Sequence, residues 1–344
     1  MSYVSTSLRK PGFWLAAFST VLALVVVGLG AWTRLVHAGL GCPDWPGCYG
    51  FLTVPDTAAE ILIAEQRFPD APVEVEKGWP EMIHRYVAGS LLLFVGALAV
   101  SAFRNRKQVG QPFKLPLFIL GLIIVQAAFG MWTVTLKLWP QVVTAHLLGG
   151  FATLTLLALL TLRLSGHWQP IRELFSHQFE PRKLAVIATL VVIAQITLGG
   201  WTSSNYAALA CPDLPTCQGQ MLPEMDFSEG FDVTQSIGPN YLGGKLDNDA
   251  RVAIHMAHRI GAIITALLVG VLAIRGLLRG AGSLKPVYGF VLFALGLQLT
   301  LGLSNIIFYL PLSVAVAHNL GGALLLISLV VLNYRLRYER EGLR

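Results

Sequence analysis

Eight stretches of this chain carry apolar residues on every face rather than at helical or strand intervals. They run over about 13–33, 82–103, 115–136, 142–162, 184–203, 252–274, 286–308 and 313–333. A sided pattern marks an element with one wet face, so an unsided run predicts an element surrounded by hydrocarbon or by core. Each run holds about 18–23 residues, enough as a helix at about 1.5 Å per residue to cross a hydrocarbon layer of about 30 Å. Backbone N–H and C=O groups find no water there and must bond within their own segment, which selects the helix. The pattern predicts an all-α integral membrane protein with eight transmembrane helices. The first run follows Arg9 and Lys10, as the apolar part of a signal peptide would, but it continues into Trp32 and Thr33 without an A-x-A site. It therefore reads as an uncleaved anchor.

The polar intervals sort by charge. Arg9 and Lys10, Arg104 to Lys114, Arg163 to Lys183, Arg275 to Lys285 and Arg335 to Arg344 fall on one side and hold most of the 25 basic residues. The two long loops between them, about 34–81 and 204–251, are acidic, with Asp44, Asp70 and Glu74 in one and Asp213, Asp226 and Asp249 in the other. Basic loops stay in the cytoplasm, so both termini are expected inside and both long loops outside. The expected division is a cytoplasmic N-terminus (1–12), a four-helix half (13–163), a cytoplasmic linker (164–183), a second four-helix half (184–334) and a cytoplasmic tail (335–344).

Composition agrees with this picture. The chain is 54% hydrophobic and 13% charged, against about 25% charged in soluble domains. That excludes a soluble enzyme, a disordered chain and a disulfide scaffold. The net charge of +6 would suggest nucleic acid in a soluble protein. Here the inside bias of Lys and Arg accounts for it, and no nucleic acid partner is expected.

The second half repeats the first. Gly30-Ala-Trp32-Thr33 returns as Gly199-Gly-Trp201-Thr202, and Cys42-Pro-Asp-Trp-Pro-Gly-Cys48 returns as Cys211-Pro-Asp-Leu-Pro-Thr-Cys217, both at an offset of 169. His84-Arg85 answers to His258-Arg259, and Ala145-His146 to Ala317-His318. Four spans per copy is an even number, so both copies keep one orientation and a pseudo-twofold axis along the membrane normal relates two four-helix bundles. Gln-x-x-x-Gly occurs at Gln126/Gly130, Gln195/Gly199 and Gln298/Gly302. Helix packing is the favoured reading of this element, with a cofactor-pocket lining as the alternative.

His167 and His177 fall in a polar cytoplasmic interval and read as surface residues, whereas His84, His146, His255, His258 and His318 lie in apolar surroundings. Ionisable groups in a membrane are expensive and point to function. His84, His146, His258 and His318 align across the repeat at one depth, roughly 5–10 Å inside the outer boundary. Two histidines at one depth on neighbouring helices supply opposite axial ligands to a planar macrocycle, and imidazole suits iron, so haem held between helices is the candidate chemistry. Zinc or copper would need third and fourth ligands that this pattern does not provide.

The four cysteines lie two per outer loop, where an oxidising compartment favours the disulfides Cys42–Cys48 and Cys211–Cys217, as staples or as redox groups. Glu81 stands one turn before His84, while His255 holds the matching place before His258. A carboxylate in one copy and an imidazole in the other suggests that the two sites do different work, although the role of His255 stays open. Arg85 and Arg259 follow the histidines as candidate partners of haem propionates or as interfacial anchors.

Taken together, Thr33-Arg34, the run Gly41-Cys-Pro-Asp-Trp-Pro-Gly-Cys48, Glu81-x-x-His84-Arg85 and the paired His146 and His258/His318 resemble the haem A synthase family. The resemblance covers nearly the whole chain. It implies oxidation of the C8 methyl of haem O to a formyl group, giving haem A for terminal oxidases in a bacterial inner membrane. It also implies a resident haem B in the C-terminal half, on His258 and His318, and substrate haem on His84 and His146, with Glu81 catalytic. Cys42 and Cys48 would then serve redox or haem-transfer steps, and Cys211 and Cys217 would be structural. The expected partners are haem O, membrane lipid, a haem O synthase, an electron donor and a second copy of the chain. A dihaem b-type cytochrome drawing electrons from quinol, or a membrane thiol-oxidising protein, are the competing readings.

The orientation is testable with single cysteines introduced at 63 and 237 in the outer loops and at 108 in a basic loop. An impermeant thiol reagent added to intact cells should label the first two and spare the third. Labelling of 108 alone would invert the topology.

Overall fold

The computed structural model describes residues 9–166, 181–280 and 282–341, with side chains to Leu336. His167, His177 and Arg172 lie outside the described residues, as do the side chains of Arg337, Arg340 and Arg344. Ten α-helices occur in the order α1 (Phe13–Leu35), α2 (Ala58–Arg67), α3 (Val75–Arg104), α4 (Lys114–Thr135), α5 (Pro140–Leu164), α6 (Pro181–Ser204), α7 (Phe227–Gly230), α8 (Asn248–Arg279), α9 (Lys285–Ile307) and α10 (Leu312–Glu341). Among the described residues eight of them are long and apolar enough to span a membrane, and they are the eight read from the sequence.

Two spans are longer than their apolar cores. α3 and α8 begin at Val75 and Asn248, turns earlier than the apolar runs at 82 and 252. Hydrophobicity marks only the part of a helix that lies in hydrocarbon, whereas the polar upstream turns are held by the loops folded against them. The short helix α2 carries a capping box, in which the Thr57 hydroxyl accepts from Glu60 N–H and the Glu60 carboxylate accepts from Thr57 N–H.

The spans pack in two sets. α1 and α4 each contact α3 and α5, while α6 and α9 each contact α8 and α10. The sets meet where α5 touches α6 and α10, and where α1 touches α10. Leu98, Leu157, Leu160, Leu272, Tyr288 and Leu329 fill the core. Outward positions are apolar as well, with Leu93, Leu267, Leu278 and Phe293 exposed. A face like this is stable against lipid and not against water.

The backbone carries the repeat into three dimensions. His37 and Tyr206 (φ 55° and 56°), Tyr49 and Gln218 (φ 55° and 53°), and the turn pairs Lys137-Leu138 and Tyr309-Leu310 occupy the left-handed region at matching places. Non-glycine residues rarely go there, so each is held by its surroundings. On the side of the two long loops the halves are joined by Arg34, which donates to the Ser203 carbonyl at 2.6 Å and lies 4.0 Å over the Tyr206 ring, with His37 stacked on the same ring. The second outer loop also reaches across, since Trp139 donates to the Gln235 carbonyl and Gln141 to that of Val233, both at 3.0 Å.

Gly276 of α8 lies against the buried Tyr288 ring of α9, where any Cβ would overlap it, whereas Gly96 has open space at the same atom. Gly276→Ala should therefore cost about 1–3 kcal/mol through overpacking, and Gly96→Ala should be close to neutral. Thermal unfolding of the purified protein in detergent distinguishes the two. Equal melting temperatures would contradict the α8–α9 packing.

Candidate functional site

The four aligned histidines come from different helices, α3, α5, α8 and α10. His84 and His146 belong to one set of packed spans and His258 and His318 to the other. Each ring also meets a glycine of a neighbouring helix. A Cβ on Gly30 would stand 3.0 Å from the His84 ring, on Gly130 3.5 Å from His146, on Gly199 3.2 Å from His258, and on Gly302 3.0 Å from His318. Contacts at 3.0–3.2 Å are tighter than a side chain tolerates, so three of these positions require the missing Cβ for the ring to sit where it does.

The Nδ1 atoms of His84, His146 and His318 are buried with no hydrogen-bond partner, as are the Oε1 atoms of Gln126, Gln195 and Gln298. Unspent polar atoms at this depth are costly and mark a place that another group completes. Among the described residues no three His, Cys, Asp or Glu side chains converge on one point. Paired imidazoles with free ring nitrogens beside flat glycine backbone fit the two axial ligands of a haem.

The residues around the histidines hold the outer loops. Cys42 and Cys48 are bonded, as are Cys211 and Cys217. In the first half the buried Glu81 carboxylate accepts from the Cys42 N–H at 3.0 Å and pairs with Arg85. In the second half Nδ1 of the buried His255 accepts from the Cys211 N–H at 3.3 Å. His255, left open by the sequence, thus does for its loop what Glu81 does for the first. The acceptor at Nδ1 also requires the proton on Nε2, so the ring is neutral.

Arg85 and Arg259 have partners other than the expected propionates. Arg85 donates to the carbonyls of Asp44 (2.9 Å) and Gly47. Arg259 donates to those of Thr216, Cys211 and Asp213, each at 2.8 Å. Each guanidinium closes the carbonyl side of a disulfide loop. Spacing along one helix shows that an arginine follows a histidine but not which loop folds back over it. The loops are also capped internally. Asp44 accepts from the N–H groups of Tyr49 and Gly50, and Asp213 from those of Gln218 and Gly219. The Thr216 hydroxyl and the Gly219 N–H hold the Asp213 carboxyl below the usual aspartate range.

Sequence reasoning underrated the glutamines. Gln195 donates to Nδ1 of His258 at 3.0 Å and to that residue's carbonyl at 2.9 Å, and the Gln298 amide lies 3.4 Å from the His318 ring. The signal was the recurrence of Gln-x-x-x-Gly in register with the histidines.

Two half-buried histidines in each of two sets of packed spans define a multi-pass membrane protein with a polar site inside each set. The model of the COX15-CtaA family, described as cytochrome oxidase assembly protein, matches residues 13–330, and the chain belongs to this family. The chain is 49% identical over 329 residues to the "Heme A synthase" of Shewanella oneidensis, covering 96% of this chain and 98% of that protein. It is 26% identical to the protein of that name in Paracoccus denitrificans, covering 95% and 88%, and 26% identical to the one in Wolbachia pipientis wMel, covering 90% and 88%.

His255→Leu should leave the Cys211 N–H buried without an acceptor, at a cost of about 1–3 kcal/mol. The variant should melt lower and lose the Cys211–Cys217 disulfide faster to an impermeant reductant, while Cys42–Cys48 is unaffected. Unchanged reduction of both loops would show that His255 does not hold its loop.

Proposed function

We propose that this protein oxidises the C8 methyl of haem O to a formyl group, producing haem A. The observation that carries this reading is the two pairs of half-buried histidines, three of them with a buried, unpartnered Nδ1, that differ at one neighbouring position, in a chain 49% identical to a "Heme A synthase" along its length. His258 and His318 hold a resident haem B, and His84 and His146 hold haem O. Haem iron supplies one-electron and oxygen chemistry when bound. Both sites lie toward the outer face of a bacterial inner membrane, with both termini in the cytoplasm and the halves 13–163 and 184–334 related by a pseudo-twofold axis. Methyl to aldehyde is a four-electron oxidation, so the reading calls for a redox partner besides a haem O synthase.

The chain's own groups divide the work. The histidine pairs fix the ring planes between helices, and the lipid-facing spans with their disulfide loops exclude water. Glu81 keeps a carboxylate one turn from His84, where it offsets positive charge or exchanges a proton at either oxygen. Arg259 keeps a buried Nε with no partner among the described residues, which leaves one N–H for a propionate, and Arg85 is its counterpart in the first half. A second reading of Glu81 rests on its hydrogen bonds: it tethers the Cys42 loop, as His255 tethers the other.

Glu81→Gln separates these roles, because the amide oxygen still accepts from Cys42 N–H while the charge is gone. Haem A formation should fall by roughly 10²–10⁴-fold with resident haem B retained, while loss of the buried pair with Arg85 lowers the melting temperature as well. Normal haem A yield would reduce Glu81 to the tether. His258→Ala and His318→Ala should strip the resident haem, whereas His84→Ala and His146→Ala should stop turnover and leave it in place. Equal haem loss in all four would cancel the division of labour. Haem without any haem A in the wild type would favour the dihaem cytochrome.

A further inference from the structure

The two halves meet along two seams, α5 against α6 and α1 against α10, which the repeat makes equivalent. The first seam is filled. Trp201 of α6 is buried and donates to the Gly230 carbonyl of the second long loop at 2.8 Å. Gln141 of α5 donates to the Val233 carbonyl of the same loop, and the Thr144 hydroxyl lies 3.2 Å from that of Ser204. Gly200 lets α6 close on α5, since a Cβ there would stand 3.2 Å from the Thr144 methyl. The second seam is open at the matching positions. Trp32 is the repeat counterpart of Trp201, and Ser313, Val316 and Ala317 are those of Gln141, Thr144 and Ala145. Together with Leu312 and Leu320 they line a groove of about 670 Å³. Trp32 is only half-buried and Ser313 is exposed, and neither the indole N–H nor the hydroxyl makes a hydrogen bond among the described residues. Below the groove α1 and α10 close again, with Gly28 against Leu320.

We propose that this groove holds the farnesyl tail of haem O, so that the seam rather than the histidines tells substrate haem from resident haem. The inference rests on the assignment of haem O to His84 and His146. Haem B and haem O share ring, iron and propionates, and differ at one ring position, a vinyl group in haem B and a hydroxyethylfarnesyl chain in haem O. Two matched histidine pairs do not discriminate between them. The seams do. In each half the helix whose glycine meets the first histidine also carries the seam tryptophan two residues on, Gly30 and Trp32 in α1, Gly199 and Trp201 in α6. Each tryptophan therefore stands within about 3 Å of the depth of its own half's first histidine contact. In the half assigned to haem B, Trp201 and the second long loop fill that place. In the half assigned to haem O it is a groove with an apolar wall of Leu312, Val316, Ala317 and Leu320. Such a wall suits an isoprenoid chain, and Trp32 N–H and the Ser313 hydroxyl are the polar groups available to the hydroxyl at the root of the tail. A lipid chain has no reason to prefer one seam, whereas a haem tail is present in only one of the two halves.

The test uses full-length protein purified in detergent with its resident haem, into which haem O or haem B is titrated and followed by absorbance. Ser313→Trp and Val316→Phe add bulk to the groove, and Ser313 is exposed, so the first leaves the helix packing intact. Both should weaken haem O binding by about tenfold or more and leave the binding of tailless haem B as in the wild type. Farnesol, the free tail, should compete with haem O on the unaltered protein and not with haem B, which tests the groove without any substitution. Wild-type affinity for haem O in both variants would give the groove to a lipid chain or a second copy and overturn the proposal. Equal loss of haem O and haem B in both would overturn it as well. A wild type that makes haem A while neither the variants nor farnesol discriminate defeats this inference alone. A wild type that neither binds added haem O nor makes haem A defeats the proposed function with it.

Discussion

A polar group buried among apolar helices must find its partner inside the protein, and the structure is arranged around that constraint. Glu81 is acceptable at its depth because Arg85 and the Cys42 N–H meet both of its oxygens. Arg85 and Arg259 are acceptable because the disulfide loops bring a row of carbonyls down to them. The loops in turn are shaped by those contacts and by Asp44 and Asp213, which gather the N–H groups on the other side of the turn. Helix, loop and buried charge are therefore one assembly, and the histidines sit at its base. Among the buried side-chain atoms left without a partner are Nδ1 of His84, His146 and His318 and Oε1 of Gln126, Gln195 and Gln298.

Duplication explains why the set comes in matched copies. Each half supplies a loop, an arginine beneath it, an acceptor for the first cysteine N–H, and two histidines packed on glycines. Around the histidines the copies differ in chemistry, with carboxylate against imidazole at Glu81 and His255 and valine against glutamine at Val26 and Gln195, and the second long loop crosses to the partner half.

Much of this was legible in the sequence, and the reasons are physical. Spans are legible because hydrocarbon imposes one composition over a fixed length. The cysteine pairs and the histidines were legible because a repeat sets equivalent residues side by side on the page. The upstream turns of α3 and α8 were not, since those polar residues are held by tertiary contacts that leave no periodicity. The loop carbonyls that Arg85 and Arg259 hold were not legible, because position along one helix does not reveal what folds over it. The glutamines show the same limit from the other side. Their spacing to glycine was visible within each helix, but the histidine they touch lies on the next one, and that register exists only after the helices have packed.

The asymmetry between Glu81 and His255 also sets the fixed charge of each half. Arg85 is neutralised by a carboxylate in direct contact, whereas among the described residues Arg259 has no acidic group within ion-pair distance and stands beside a neutral imidazole. Asp213 acts on Arg259, but from an exposed turn where solvent weakens the effect. The second half therefore presents more net positive charge to its histidines than the first. Positive charge stabilises a reduced metal centre relative to an oxidised one, and a neutralised site removes that bias. Under the proposed assignment the resident haem sits where an electron is better accommodated, and the substrate sits where positive charge left by oxidation is better tolerated.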